Sequence, residues 1–173
     1  MERSTVKMLT TTALLIALEI ILTRIFSIQT PIIRISLGFL PIAVLAMMYG
    51  PVHAGVGAAV ANIIGVALFP IAFFPGFILT AFLTGVVYGL VLYNRPKSMM
   101  RIVIAASIVT VILQQGLDTL WLQILAGGEL NLEGYLALMS ARTIRTLIML
   151  PIQIILIKIV AHHKIFGSQF GGI

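Results

Sequence analysis

The chain has 173 residues, of which 60% are hydrophobic and only 9% charged, with a net charge of +6. A soluble domain carries about a quarter charged residues, so a water-soluble globule is excluded and lipid is the expected solvent. The basic excess does not indicate nucleic acid, because the cations sit at the ends of apolar runs rather than on one basic face with aromatics beside it. Cysteine is absent, which removes disulfides and thiolate chemistry.

About 20 apolar residues cross the hydrocarbon core as a helix. Six candidate spans occur in order: roughly Met8 to Thr23, Ile35 to Tyr49, His53 to Leu68, Gly76 to Tyr93, Arg101 to Leu125 and Leu136 to Val160. The second, bounded by Pro31 and Gly50-Pro51, and the third are short. The first is no cleavable signal peptide, since it contains Glu19 and ends at Arg24 rather than at small residues. The expectation is an all-α integral membrane protein, residues 1–173 forming a single transmembrane domain of six helices. Arg3, Lys7, Arg95, Lys97, Arg101, Lys158 and Lys164 gather on the side of the termini. Opposite them stand Arg24 and Arg34 and a last loop, Ala126 to Tyr135, holding Glu129 and Glu133. The positive-inside rule therefore puts both termini in the cytoplasm.

Four ionisable residues fall inside the spans: Glu19, Asp118, Arg142 and Arg145. Each costs roughly 3 kcal/mol or more in hydrocarbon if unpaired. Counted from the span ends, all four lie in the outer half at similar depth. At 100° per residue, Ser107, Thr110, Gln114, Asp118 and Trp121 share one face of the fifth helix. Arg142, Arg145, Thr146, Met149 and Gln153 share one face of the sixth, and Thr80, Thr84 and Tyr88 one face of the fourth. Lipid would not tolerate these stripes, so they should converge on the bundle axis. Two readings compete: a buried ion quartet that holds the bundle, and an outward-facing cavity for a polar organic solute. The uncharged groups beside Asp118 (Gln114, Gln115, Trp121) favour the cavity.

Small residues mark close helix approach: Gly55, Gly57, Ala58, Ala61 and Gly65 on the third span, and Ala81, Gly85 and Gly89 on the fourth. No GxxxxGK[ST] loop, HExxH motif or catalytic pair is present, so neither ATP hydrolysis, a bound metal, a cofactor nor an enzyme is indicated. His53, His162 and His163 lie near span ends. On the first helix, Ala13 and Ala17 form an AxxxA stripe well away from Glu19, which shares its side with Thr12 and Thr23. Such a helix can dock a partner with its alanines and line a cavity with its acid.

In combination, the AxxxA first helix, six short spans, basic cytoplasmic ends and polar outer pocket resemble the substrate-binding S components of energy-coupling factor (ECF) vitamin transporters. Two stretches are most similar to the folate-specific type. They run from Thr23-Arg24-Ile25-Phe26-Ser27-Ile28-Gln29-Thr30-Pro31 through Arg34 to Gly38-Phe39-Leu40-Pro41, and from Phe74-Pro75-Gly76-Phe77 to Thr84-Gly85. The resemblance implies a subunit of a prokaryotic cell membrane that captures folate from outside. It also implies partners, a transmembrane coupling subunit and two ATPase subunits that hydrolyse ATP, with Ala13 and Ala17 at the coupling contact. The chemistry of folate can be fitted to the residues. Asp118, or else Glu19, suits the 2-amino-4-oxo edge of the pterin. Trp121, Phe74 and Phe77 suit its face. Arg24, Arg34, Arg142 or Arg145 suits the anionic tail, and Gln29 and Gln114 can complete the hydrogen bonds. The alternatives are an S component for another vitamin or precursor, such as pantothenate or a pyrimidine, and a structural or channel-like bundle.

Overall fold

A computed structural model describes residues 2–29, 34–69, 74–96, 98–127 and 131–162. The boundary residue Pro31, the charged Lys97, Glu129 and Lys164, and His163 lie outside that set, as do the side chains of Arg3, Gln29 and Arg34. Helix α1 spans Glu2–Arg24, α2 Phe39–Leu68, α3 Pro75–Leu92, α4 Met99–Ser107, α5 Asp118–Leu125 and α6 Leu132–Ala161. A π-helical stretch, Ile108–Leu117, joins α4 to α5 without a break, so residues 99–125 form one rod. Between α1 and α2 lies a two-stranded antiparallel hairpin, β1 (Ile28–Gln29) against β2 (Arg34–Ile35), with Ile28 opposite Ile35 and Gln29 opposite Arg34.

Among the described residues, five helices are long and apolar enough to cross a membrane. The expected second and third spans run into one another as α2, yet Gly50 within it has φ 87° and ψ −177°, far from helical values. That combination is essentially restricted to glycine. Pro51 then opens the second arm, where its missing N–H and fixed φ suit the first turn of a helix. The arms fold back on each other. Leu45 Cδ2 lies 2.5 Å from the place a Cβ on Gly57 would occupy, whereas twelve residues of straight helix would hold them about 18 Å apart. Both far ends return to the same end of α1: Gly38 abuts Thr23 and Glu19, and Gly65 abuts Arg24. The first arm, residues 39–49, is therefore only about 16 Å long, too short to span alone.

The second arm lies tightly along α3. A Cβ on Gly85 would collide with the Ala54 carbonyl, and one on Gly89 with the Pro51 backbone. Small residues thus set the helix spacing, as expected where lipid supplies no hydrophobic drive between helices. The core is built on the first arm of α2, with Ala43, Leu45, Ala46 and Met47 fully buried, and continues through Tyr88, Ile102, Val109 and Ile157. Helix α1 is the least buried of the membrane-length helices, with only 6% of its most apolar stretch buried inside the protein. Helix α6 starts a full turn earlier than expected, so Glu133 and Tyr135 are helical rather than in the loop. The cause is a cap: Asn131 Oδ1 accepts from the Gly134 N–H at 2.7 Å.

Candidate functional site: a two-storey polar core at the Arg24 end

Helix α6 runs antiparallel to the 99–125 rod, and their facing polar side chains pair level by level. At the Arg24 end, Gln123 Nε2 donates to the Asn131 carbonyl at 3.0 Å. One level deeper, Arg142 Nη1 donates to Thr119 Oγ1 at 2.8 Å, and its Nη2 lies 4.0 Å from Asp118 Oδ2. Next, Arg145 Nη2 donates to Gln114 Oε1 at 3.2 Å. Gln115 donates to the Met139 carbonyl at 2.7 Å and accepts from the Thr146 hydroxyl at 2.6 Å. Arg142 and Arg145 are both buried. This storey is ionic.

The lower storey is neutral. Gln153 Oε1 accepts from the Tyr88 and Thr110 hydroxyls at 3.1 and 2.8 Å, and both Tyr88 and Gln153 are inaccessible to solvent. Eight residues of α6 separate Arg145 from Gln153, about 12 Å. Between the storeys lie the buried apolar side chains of Leu113 and Met149, with Thr84 of α3, whose hydroxyl donates to the Thr80 carbonyl of its own helix.

Aromatic side chains wall the ionic storey. Trp121 stands one turn beyond Asp118 on α5, and its Nε1 donates to Thr80 Oγ1 of α3 at 3.0 Å. The Phe74 ring is 5.5 Å from the Trp121 ring and tilted by 35°, and Phe77 meets Phe74 edge-on at 6.4 Å. The indole fits because residue 76 is glycine, where any Cβ would strike it. On the α1 side, the Glu19 carboxylate lies against Gly38 and acts electrostatically on the Arg24 guanidinium, which packs over Gly65.

Asp118 thus meets Arg142, Arg145 meets Gln114, and Trp121, Phe74 and Phe77 form an aromatic cluster one turn beyond Asp118. Glu19 and Arg24 form a second charged station at the head of α1. For Gln29 and Arg34 only the backbone pairing in the small hairpin is described. Ala13 and Ala17 are exposed on α1, beside Leu14 at 69% exposure.

One expectation needs correction. A uniform 3.6-residue period puts Ser107, Thr110, Gln114, Asp118 and Trp121 in the buried row. The fully buried polar row is instead Thr110, Gln115, Thr119 and Gln123, with Gln114, Asp118 and Trp121 half-buried at its edge. The π-helical stretch is the reason. Its wider turn adds a residue between Thr110 and the next buried polar position. Thr119 and Gln123 were missed for that reason, and Gln115 was named beside Asp118 but not placed in the buried row. Their mutual four-residue spacing was the available signal, but the five-residue step from Thr110 hid its continuity.

A family model described as "ECF transporter, substrate-specific component" matches residues 7–161. The chain is 44% identical over 146 residues to a folate transporter, FolT, of Clostridium novyi, covering 84% of this chain and 82% of that protein. It is 33% identical over 144 residues to the folate transporter FolT of Leuconostoc mesenteroides, covering 82% and 77%. The crystal structure of a FolT bound with folic acid superposes with a TM-score of 0.78 at 38% identity, over 85% of this chain and 86% of that one. This chain therefore belongs to the substrate-specific components of ECF transporters.

Proposed function

We propose that this chain is the high-affinity folate-binding subunit of an ECF-type importer, taking its ligand at the Arg24 end and facing that end outward. The observation that carries the reading is the ionic storey beside an aromatic wall, closed beneath by Leu113 and Met149. Folate needs those three elements: an acid for the pterin edge, a flat apolar neighbour for its rings and cations for its glutamate tail. Asp118, with Arg142 beside it and Arg145 on Gln114, takes the first role, Trp121 with Phe74 and Phe77 the second, and Arg24 and Arg34 the third. Glu19, Gln29 and Gln114 complete the polar lining. The relatives named for folate transport support the ligand.

In this reading both termini are cytoplasmic, and the arms of α2 serve as two separate helices, which gives six in all. The chain has no ATPase motif of its own, so movement depends on a transmembrane coupling subunit and two ATPase subunits. Ala13 and Ala17, exposed on the least buried helix, form the coupling contact. Tight ligand capture and energised transport are thereby divided between subunits.

Trp121 is the only tryptophan, so its fluorescence reports the site alone. Folate titrated into purified, ligand-free protein should quench it with nanomolar affinity, without ATP or partner subunits. Folded protein that shows no saturable quenching or calorimetric heat with folate, yet binds pantothenate or a pyrimidine, would remove the folate assignment.

A further inference from the structure

At the end of α6 opposite the polar site, the surface carries a groove of about 390 Å³. It is lined by Met99 of α4, by Ile155, Lys158 and Ile159 of α6, and by His162 just past the end of α6. The last four fall at i, i+3, i+4 and i+7, one face of a helix. Gln153, Ile157 and Ala161 occupy the buried face of the same segment. The groove therefore opens away from the bundle, toward lipid.

Its two halves differ in chemistry. Helix α6 has 30 residues, about 45 Å, which matches the hydrocarbon core with both headgroup layers, about 40–45 Å in all. Centred in a bilayer, such a helix leaves about 5–7 Å at each end among headgroups. Lys158 is about 4–5 Å from the end at Ala161 and His162 lies beyond it, so both basic groups reach that layer. Ile155 is about 9 Å from the same end and reaches the hydrocarbon. The His162 ring donates through Nδ1 to the Lys158 carbonyl at 2.9 Å. A carbonyl only accepts, so Nε2 is the nitrogen left for a ligand, and the imidazolium form donates from it.

Acids do not compete for these cations. Among the described residues, Glu19, Asp118 and Glu133 belong to the far end, and Glu2 opens α1, which packs on α2. A protein partner does not fit the size: a stable contact takes about 20–30 residues a side, and five line this groove. An occupant with an anionic head and an apolar tail uses both halves.

We propose that this groove binds one acidic phospholipid, with its phosphate on Lys158 and His162 and an acyl chain along Ile155, Ile159 and Met99. Basic pockets between transmembrane helices hold acidic headgroups by the same physics. The proposal rests on the orientation given above only for the leaflet, which is then the cytoplasmic one.

Delipidated protein in neutral detergent, titrated with phosphatidylglycerol or with phosphatidylcholine of identical chains, tests it by native mass spectrometry, with circular dichroism to check folding. Wild type should prefer phosphatidylglycerol about fivefold or more, the factor that one basic residue near an acidic headgroup supplies. Lys158→Gln/His162→Gln should lose that preference without weakening phosphatidylcholine, and Ile155→Trp should weaken both lipids by filling the groove. Lys7→Gln/Arg95→Gln removes two exposed cations elsewhere on the same end and should keep the preference. An equal loss in that control would mean diffuse surface charge and overturn the site. A preference that survives Lys158→Gln/His162→Gln would overturn it too. Wild type indifferent to headgroup, with Lys158→Gln/His162→Gln failing to assemble with a coupling subunit, would make the groove a protein contact instead. The leaflet is tested separately. In this cysteine-free chain, Ser98→Cys beside Met99 should resist an impermeant maleimide in intact protoplasts and react after lysis. Labelling in intact protoplasts would overturn the orientation and leave the lipid preference standing.

Discussion

Gly50 offers a direct test of the folded-back α2. Alanine there must adopt φ 87° and ψ −177°, a region that costs a residue with a side chain roughly 1–3 kcal/mol. The new Cβ would also stand 3.3 Å from Cδ1 and Cε1 of Tyr93, so that ring must give by a few tenths of an ångström. Against this, alanine restricts the unfolded chain and returns about 0.4–1 kcal/mol. The net expectation for Gly50→Ala is a loss of about 1–2 kcal/mol, a roughly 5- to 30-fold fall in the folded-to-unfolded ratio. Gly116→Ala is the reference: its Cβ would meet nothing closer than 3.8 Å, and its φ is not positive, so little change is expected. Unfolding of both variants in mixed micelles with rising SDS, followed by far-UV circular dichroism, measures the difference. A continuous straight α2 would place residue 50 mid-helix, where alanine is favoured over glycine by about 0.5–1 kcal/mol. Gly50→Ala as stable as wild type, or more so, would refute the hinge.

Asp118→Asn should lower folate affinity at least tenfold, about 1.4 kcal/mol, by calorimetry; unchanged affinity with reduced thermal stability would assign Asp118 to supporting Arg142 alone. The double variant Ala13→Trp/Ala17→Trp should bind folate normally in detergent and fail to support uptake in cells that supply the coupling subunits, because helix contacts in lipid depend on close approach. Normal uptake would make the stripe an ordinary lipid-facing surface, and loss of both activities would make it part of the fold.

Much of this architecture was legible because lipid enforces it. A stripe such as Thr80, Thr84 and Tyr88 has nowhere to go but the bundle interior, and all three are buried there. Arg142, Arg145, Met149 and Gln153 line one face of α6 for the same reason. The failures occur where the backbone leaves the regular helix. Gly50-Pro51 marked the interruption at which the six-span reading reverses the chain, but the residue types did not show that a single residue of positive φ would join the two arms. The π-helical stretch was invisible, since a change of pitch leaves composition untouched and shifts only the register of the residues beyond it. That one-residue offset exchanged Gln114 for Gln115 in the buried row and concealed Thr119. The reach of α6 past Tyr135 depended on Asn131, a cap that an apolar-window reading does not weigh.

The dry layer between the two polar storeys bears on the energy economy of the cell. A charge crossing the membrane dissipates about 2.3 kcal/mol for every 100 mV of potential. Water and protons move along connected hydrogen-bonding groups, and between Arg145 and Gln153 the core presents Leu113 and Met149, which offer none, while the Thr84 hydroxyl is turned back onto the Thr80 carbonyl of its own helix. The lower storey is itself uncharged, with Tyr88 and Thr110 both turned onto Gln153. A subunit built this way is electrically silent while it waits. Many copies can stand in the membrane, loaded or empty, without draining the gradient that the rest of the cell depends on.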